Sequence, residues 1–180
     1  GGLGFNSEWR KEAGKQYIDV GIAEEHAIAM SSGIAKNGGK PVFNVYSTFL
    51  QRTYDQLVQD LCVNNNSAVI MNHQASVYGM NDVTHLGFFD IPMLTSIPNL
   101  VYLAPTNNEE LLAMTEYAVH QHEHPVAIRV PVGEFTSTGV ADTTDYSLLN
   151  KSEVTRRGER IALLGLGNFY HLANQVADEL

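Results

Sequence analysis

Apolar residues recur along this chain in two alternating rhythms. Short runs at 17–20, 41–45, 67–71, 100–104, 126–130 and 160–164 are rich in Val, Ile, Leu and Tyr and predict strands covered on both faces. Longer stretches between them repeat at helical spacing. Ala27, Met30, Ile34 and Ala35 mark a helix over 23–36, which Asn37, Gly38 and Gly39 end. A helix over 48–62 opens on Thr48 and Gln51, and another over 106–121 on Thr106 and Glu109, both spaced as capping boxes. Shorter helices are predicted over 7–13 and 88–95, and a last one from Phe169.

Strands alternating with helices predict an α/β fold: a doubly wound, mainly parallel sheet with helices on both faces. Ligands in such sheets bind outside the carboxyl ends of the strands. Here those ends fall at 21–24, 46–48, 72–85, 105–106 and 131–134, and the first three collect the unusual polar and aromatic residues. The stretch 72–87 has little apolar period and is long for a connection, a length usually kept for function. The polar, turn-rich segment after Val132 reads as a linker, and the strand at 160–164 with Gly165, Gly167 and its helix reads as the opening of another domain.

Charge and composition narrow the partners. The 180 residues hold 11 Lys plus Arg against 20 Asp plus Glu, a formal charge of −9, and no basic cluster that would grip phosphates. That excludes a nucleic-acid or anionic-membrane surface as the expected role. No apolar run approaches a membrane span. The single cysteine, Cys62, leaves no disulfide framework and fits a reducing cytoplasm. The chain opens on Gly-Gly-Leu-Gly and ends within a helical pattern, so it is expected to be a piece of a longer protein.

Within the three rim segments, Glu24 stands at a helix start, where an acidic residue ordinarily offsets the helix dipole. The same explanation suffices for Glu25, and His26 fits a core or surface position. Tyr46, Phe49 and Arg52 combine two aromatics with a cation; core packing is the default, and a flat heterocycle stacked on Phe49 is the functional alternative. His73, Asp82 and His85 share the long loop without metal-ligand spacing, so no metal site is expected, and His85 is the better acid–base candidate. His120, His122 and His124 read as a helix end and turn. No phosphate-loop, dinucleotide or nucleophile-elbow motif is present.

Five strings in order carry a family resemblance. Asp19-Val-Gly-Ile-Ala-Glu24-Glu-His-Ala27, Tyr46-Ser-Thr-Phe-Leu-Gln-Arg-Thr-Tyr-Asp-Gln56, Thr84-His-Leu-Gly-Phe-Phe-Asp90, and Ile97-Pro-Asn99 followed by Ala104-Pro-Thr106 are similar to the 1-deoxy-D-xylulose-5-phosphate synthases of the transketolase superfamily. The likeness runs to Gly133, and the segment from Gly158 resembles the start of that family's C-terminal domain. It implies a pyrimidine-binding domain at 1–135, N-terminally incomplete, a linker at 136–158 and the start of a C-terminal domain at 159–180.

The resemblance also implies chemistry. The enzyme would use thiamin diphosphate to transfer a two-carbon unit, nearest to condensation of pyruvate with glyceraldehyde 3-phosphate with decarboxylation. The alternatives are a sugar transketolase or its separately encoded C-terminal half, and a non-catalytic α/β interaction subunit. Glu24 would hydrogen-bond the aminopyrimidine, Phe49 would stack on it, Arg52 and Tyr46 would border it, Ile22 would also bind the cofactor, and His85 would assist proton transfers. Tyr46, His73, Gln74 and Asn81 would line the substrate side. The ligands of Mg2+ and the diphosphate would lie on a preceding domain, this chain alone would be inactive, and the assembly would be a cytoplasmic homodimer.

Two departures concern substrate. His73-Gln74 stands where the family has Asp-Arg, and Val130-Pro-Val132-Gly where it has Tyr-Pro-Arg-Gly, so two phosphate-binding guanidinium groups are absent. Gly79-Met-Asn81 likewise replaces Gly-Ala-Asp. These changes predict intact cofactor activation with altered sugar-phosphate recognition, as in a divergent paralogue.

Overall fold

The computed structural model describes residues 5–77, 83–148 and 152–180. Four parallel strands form one sheet in the order β1-β2-β4-β3. They are β1 (Val42–Tyr46), β2 (Val69–His73), β3 (Val101–Leu103) and β4 (Val126–Val130). The registers Tyr46↔His73 and His73↔Val130 bring the carboxyl ends of three strands level.

Helices cover both faces, because residues one apart in a strand point to opposite sides. Val45, Ile70 and Ala127 face the larger core with Ile28, from α2 (Glu24–Lys36), and Leu94, from α5 (Asp90–Thr95). The segment between β1 and β2 completes that layer. It runs as α3 (Ser47–Leu50), a 3₁₀ turn (Gln51–Thr53), α4 (Tyr54–Gln56) and a π-helical stretch (Leu57–Cys62). Leu50, Leu57 and Leu61 are fully buried along it, each stabilising by roughly 1.5–3 kcal/mol. Val69, Val126 and Ile128 face the other way, onto Met114 and Ala118 of α6 (Asn108–His120). An N-terminal helix, α1 (Ser7–Ala13), and a C-terminal one, α7 (Phe169–Glu179), complete the order. No helix among the described residues is long and apolar enough to cross a membrane.

Two predicted strands do not form. Residues 17–20 are extended but pair with nothing in the sheet; Ile18 is half exposed, and the Asp19 carboxylate accepts the Gly21 amide at 2.9 Å. Tyr17 packs its ring against Phe5 and Trp9 instead. The run 160–164 is also unpaired, with Leu164 95% exposed. An apolar run supplies a strand's side chains but not the neighbouring ladder that makes it one.

Both capping boxes also differ. Thr48 sits inside α3 and donates to the Thr84 carbonyl at 3.1 Å, leaving the helix start without a side-chain cap. In α6 the box is shifted by one residue: Asn107 accepts the Glu110 amide at 2.8 Å, and Glu110 accepts the Thr106 amide at 2.7 Å. Glu109 is thereby released to hold the following segment, accepting from Ser137 Oγ and from the amides of Thr138 and Gly139. Those bonds, Ser137 first, lower its carboxyl to about 2.

Candidate functional site

Gly21, at φ 69°, turns the chain from the extended segment into α2, a conformation that costs glycine little. The turn delivers Glu24 as the first residue of the helix. Ala23 offers no side-chain cap, so the first-turn amides and the helix dipole favour the acidic residue there. Glu24 is only 9% exposed, while Glu25 and His26 beside it face solvent. Arg52 Nη1 approaches Glu24 Oε2 at 3.3 Å, and Oε1 has no partner among the described residues.

Arg52 belongs to the turn after α3, which places its guanidinium carbon 5.6 Å from the Phe49 ring centroid. The Phe49 ring meets His85 edge-on at 5.3 Å, and Tyr46, at the end of β1, lies 6.1 Å from both. The sequence-expected residues Glu24, Arg52, Phe49, His85 and Tyr46 therefore form one continuous row at the sheet's carboxyl rim. Ile22, 89% exposed, stands just before Glu24.

Two contacts position the His85 loop. The Thr48 hydroxyl holds the Thr84 carbonyl, and Thr84 Oγ1 lies 2.8 Å from His85 Nδ1. Gly87 lies so close to the chain after β2 that a Cβ there would fall 1.6 Å from the Gln74 carbonyl oxygen. Gln74 itself takes a left-handed conformation, φ 56°. His73 ends β2 with Nε2 3.0 Å from Asn44 Oδ1, and burial pushes its imidazole below the ordinary value of 6.5. Asn81 and Asp82 lie outside the described residues. Among the described residues no cluster of His, Cys, Asp and Glu could hold a metal ion.

Sequence reasoning missed a polar network beneath this rim. Asp90 is fully buried at the start of α5, and its Oδ2 accepts from Arg129 Nε at 2.8 Å, from Asn72 Nδ2 at 3.3 Å and from the Tyr102 hydroxyl. Three strands and a helix thus meet on one carboxylate, and Asp90 follows the His85 loop by five residues. Burial and the neighbouring Asp90 charge push the Tyr102 hydroxyl well above its usual range, so it stays a proton donor. The signal was present: a charged residue inside the apolar run of β4 requires a buried partner.

Comparison with known proteins places the chain in a family. The family described as transketolase, pyrimidine binding domain, matches residues 2–137. The 1-deoxy-D-xylulose-5-phosphate synthase of Stenotrophomonas maltophilia is 45% identical over 172 residues, covering 94% of this chain and 27% of the relative. That of Acaryochloris marina is 40% identical over 167 residues, 92% of this chain and 26% of the relative. The chain therefore spans about a quarter of the length of these relatives. Among solved structures, a split gene transketolase in an inactive beta4 tetramer aligns with a TM-score of 0.64 at 20% identity, over 79% of this chain and 46% of that one, a likeness of fold.

Proposed function

Because the chain belongs to the transketolase pyrimidine-binding domain family, we propose that it forms the pyrimidine side of a thiamin diphosphate site in a two-carbon transferase. The reaction it serves is formation of 1-deoxy-D-xylulose 5-phosphate, as the names of its relatives suggest, from pyruvate and glyceraldehyde 3-phosphate, as the family resemblance implies. The observation that carries this reading is Glu24: a mostly buried carboxylate with one oxygen open, one cation away from an aromatic ring.

That donor set fits an aminopyrimidine. A carboxyl group can share a proton with a ring nitrogen, and the Phe49 face can carry a flat heterocycle. When bound, thiamin diphosphate supplies the electron sink for cleaving and forming the carbon–carbon bond. Glu24 holds or accepts a proton at its carboxylate, sheltered from water on the core side of α2. Phe49 and Ile22 supply apolar contact, and Arg52 orients the carboxylate through Oε2. His85, held against Phe49 and Tyr46, moves protons on the substrate side.

His73, Gln74, Tyr46 and Asn81 bound the substrate side in this reading. Gln74 and Val132 offer no cation, so a substrate phosphate is held by groups elsewhere. Magnesium and the diphosphate are held by a preceding domain, residues 159–180 open a further domain, and the active assembly is a homodimer.

The test uses the protein together with its diphosphate-binding domain, thiamin diphosphate and Mg2+. Carbon dioxide release from pyruvate is measured with and without glyceraldehyde 3-phosphate. Release stimulated by the aldehyde is expected. Cofactor binding without release from pyruvate, but with two-carbon transfer from a ketose phosphate, would replace the synthase reading with a sugar transketolase. Failure to bind the cofactor at all would leave a non-catalytic α/β subunit.

A further inference from the structure

The cationic side of the buried Arg129–Asp90 pair opens onto a cavity of about 310 Å³ that the proposed cofactor site does not use. Val77, Phe88, Ile91, Leu164, Leu166 and Phe169 line it, with Arg129 as the charged group. Its walls are otherwise apolar, and its volume lies at the lower end of small-molecule sites.

The chemistry of Arg129 specifies an occupant. Its side chain keeps only 6% exposure, and its one partner among the described residues is Asp90, through Nε. A guanidinium has five N–H donors, and among the described residues neither terminal amino group has an acceptor. Asp90 in turn shares the same oxygen with Asn72 and Tyr102, so its charge is divided among three donors and Arg129 keeps cationic character toward the cavity. A planar fork of N–H groups matches a carboxylate through two parallel bonds. The apolar walls call for a compact hydrocarbon body behind that head. A dianionic phosphate is a worse match, since one guanidinium already beside a carboxylate cannot neutralise it.

We propose that the Arg129 cavity is a binding site for a small monocarboxylate with an apolar body, for which 3-methylbutanoate serves as the probe. Phe88, in its wall, follows His85 by three residues, and Ile91 follows Asp90 directly. Occupancy therefore bears on the loop that carries His85 and joins it to the segment around Leu166 and Phe169, which makes the site one for an effector. The proposal rests on the cavity and Arg129 and stands independently of the cofactor reading.

The experiment titrates the full protein with acetate, 3-methylbutanoate and the neutral 3-methylbutanamide, following binding by calorimetry and the Arg129 side-chain N–H resonance by NMR. Saturable 3-methylbutanoate binding with a shift of that resonance is expected. Acetate should bind more than tenfold more weakly, from about fourfold per lost methylene. Ile91→Phe, which fills the cavity and leaves the Arg129–Asp90 pair in place, should abolish binding with the melting transition retained. Arg129→Lys tests the fork and should weaken binding at least tenfold. Absence of saturable binding, equal binding of the amide, or binding that survives Ile91→Phe would overturn the proposal.

Discussion

Arg52 Nη1 lies 3.3 Å from Glu24 Oε2, while the same guanidinium sits over the Phe49 ring at 5.6 Å. One side chain thus links a carboxylate at the start of α2 to the aromatic surface after β1, 28 residues away. If Glu24 serves the chemistry proposed for it, Glu24→Gln should lower two-carbon transfer by about a hundredfold or more, the scale of a lost acid–base group. Circular dichroism should show an unchanged fold. Retained activity would sink the role of Glu24.

Arg52→Ala should behave differently. The pair is partly exposed, with Arg52 46% accessible, so its loss should cost less than about 1 kcal/mol of stability. Denaturant unfolding would measure that, and a titration with thiamin diphosphate in the assembled enzyme should show weakened binding. A large loss of stability instead would mean that Arg52 is a structural strut.

Asp90→Ala is expected to be far more damaging. It strands the buried Arg129 and removes the acceptor of Asn72 and Tyr102, a class of change costing about 3–5 kcal/mol. Urea midpoints for Asp90→Ala and Arg52→Ala give the comparison, and equal midpoints would refute the ranking.

Gly87→Ala should displace the His85 loop, because the new Cβ would overlap the Gln74 carbonyl oxygen. Relief requires backbone movement, at about 1–3 kcal/mol for overpacking. Faster hydrogen exchange at Thr84 and His85, with reduced turnover, is the expected readout. Wild-type exchange there would show that the loop adapts.

Two groups shape the acid side of the pH response in separate windows. His73 has its folded pKa lowered by burial, so the unfolded chain binds its proton more tightly. Its contribution is complete above the ordinary value of 6.5 and lost as pH falls below it. His73→Gln should flatten stability between pH 7 and 5 in thermal melts (roughly the window of an ordinary histidine). Glu109, lowered from 4.5 to about 2, contributes above pH 4.5 and loses that contribution as pH falls through about 2. Glu109→Gln should therefore speed amide exchange at Thr138 and Gly139 at neutral pH while leaving the low-pH rates unchanged.

The rim residues were legible because their local order is their chemistry. Glu24 after a glycine turn, and Tyr46, Phe49 and Arg52 at a strand-to-helix junction, stand where the chain's own periodicity puts them. Asp90 and Arg129 were not legible as partners, since they lie 39 residues apart with β3 and α6 between their elements. The shifted cap of α6 escaped for a smaller reason. Thr106 and Asn107 are both good capping residues, and only the backbone decided between them.

By itself, then, the sequence determined the alternation of strand and helix and the two-faced parallel sheet, and set Glu24, Tyr46, Phe49 and Arg52 at element ends, because hydrophobic period and turn chemistry act within a few residues. Tertiary structure alone decided which extended runs became strands. Residues 17–20 and 160–164 are apolar enough, but a strand exists only where a neighbour completes its hydrogen bonds, and these have none among the described residues. It also decided that Arg52 faces Glu24 and that Arg129 turns one edge to Asp90 and the other to a cavity, since long-range packing, not sequence spacing, sets what a buried charge meets.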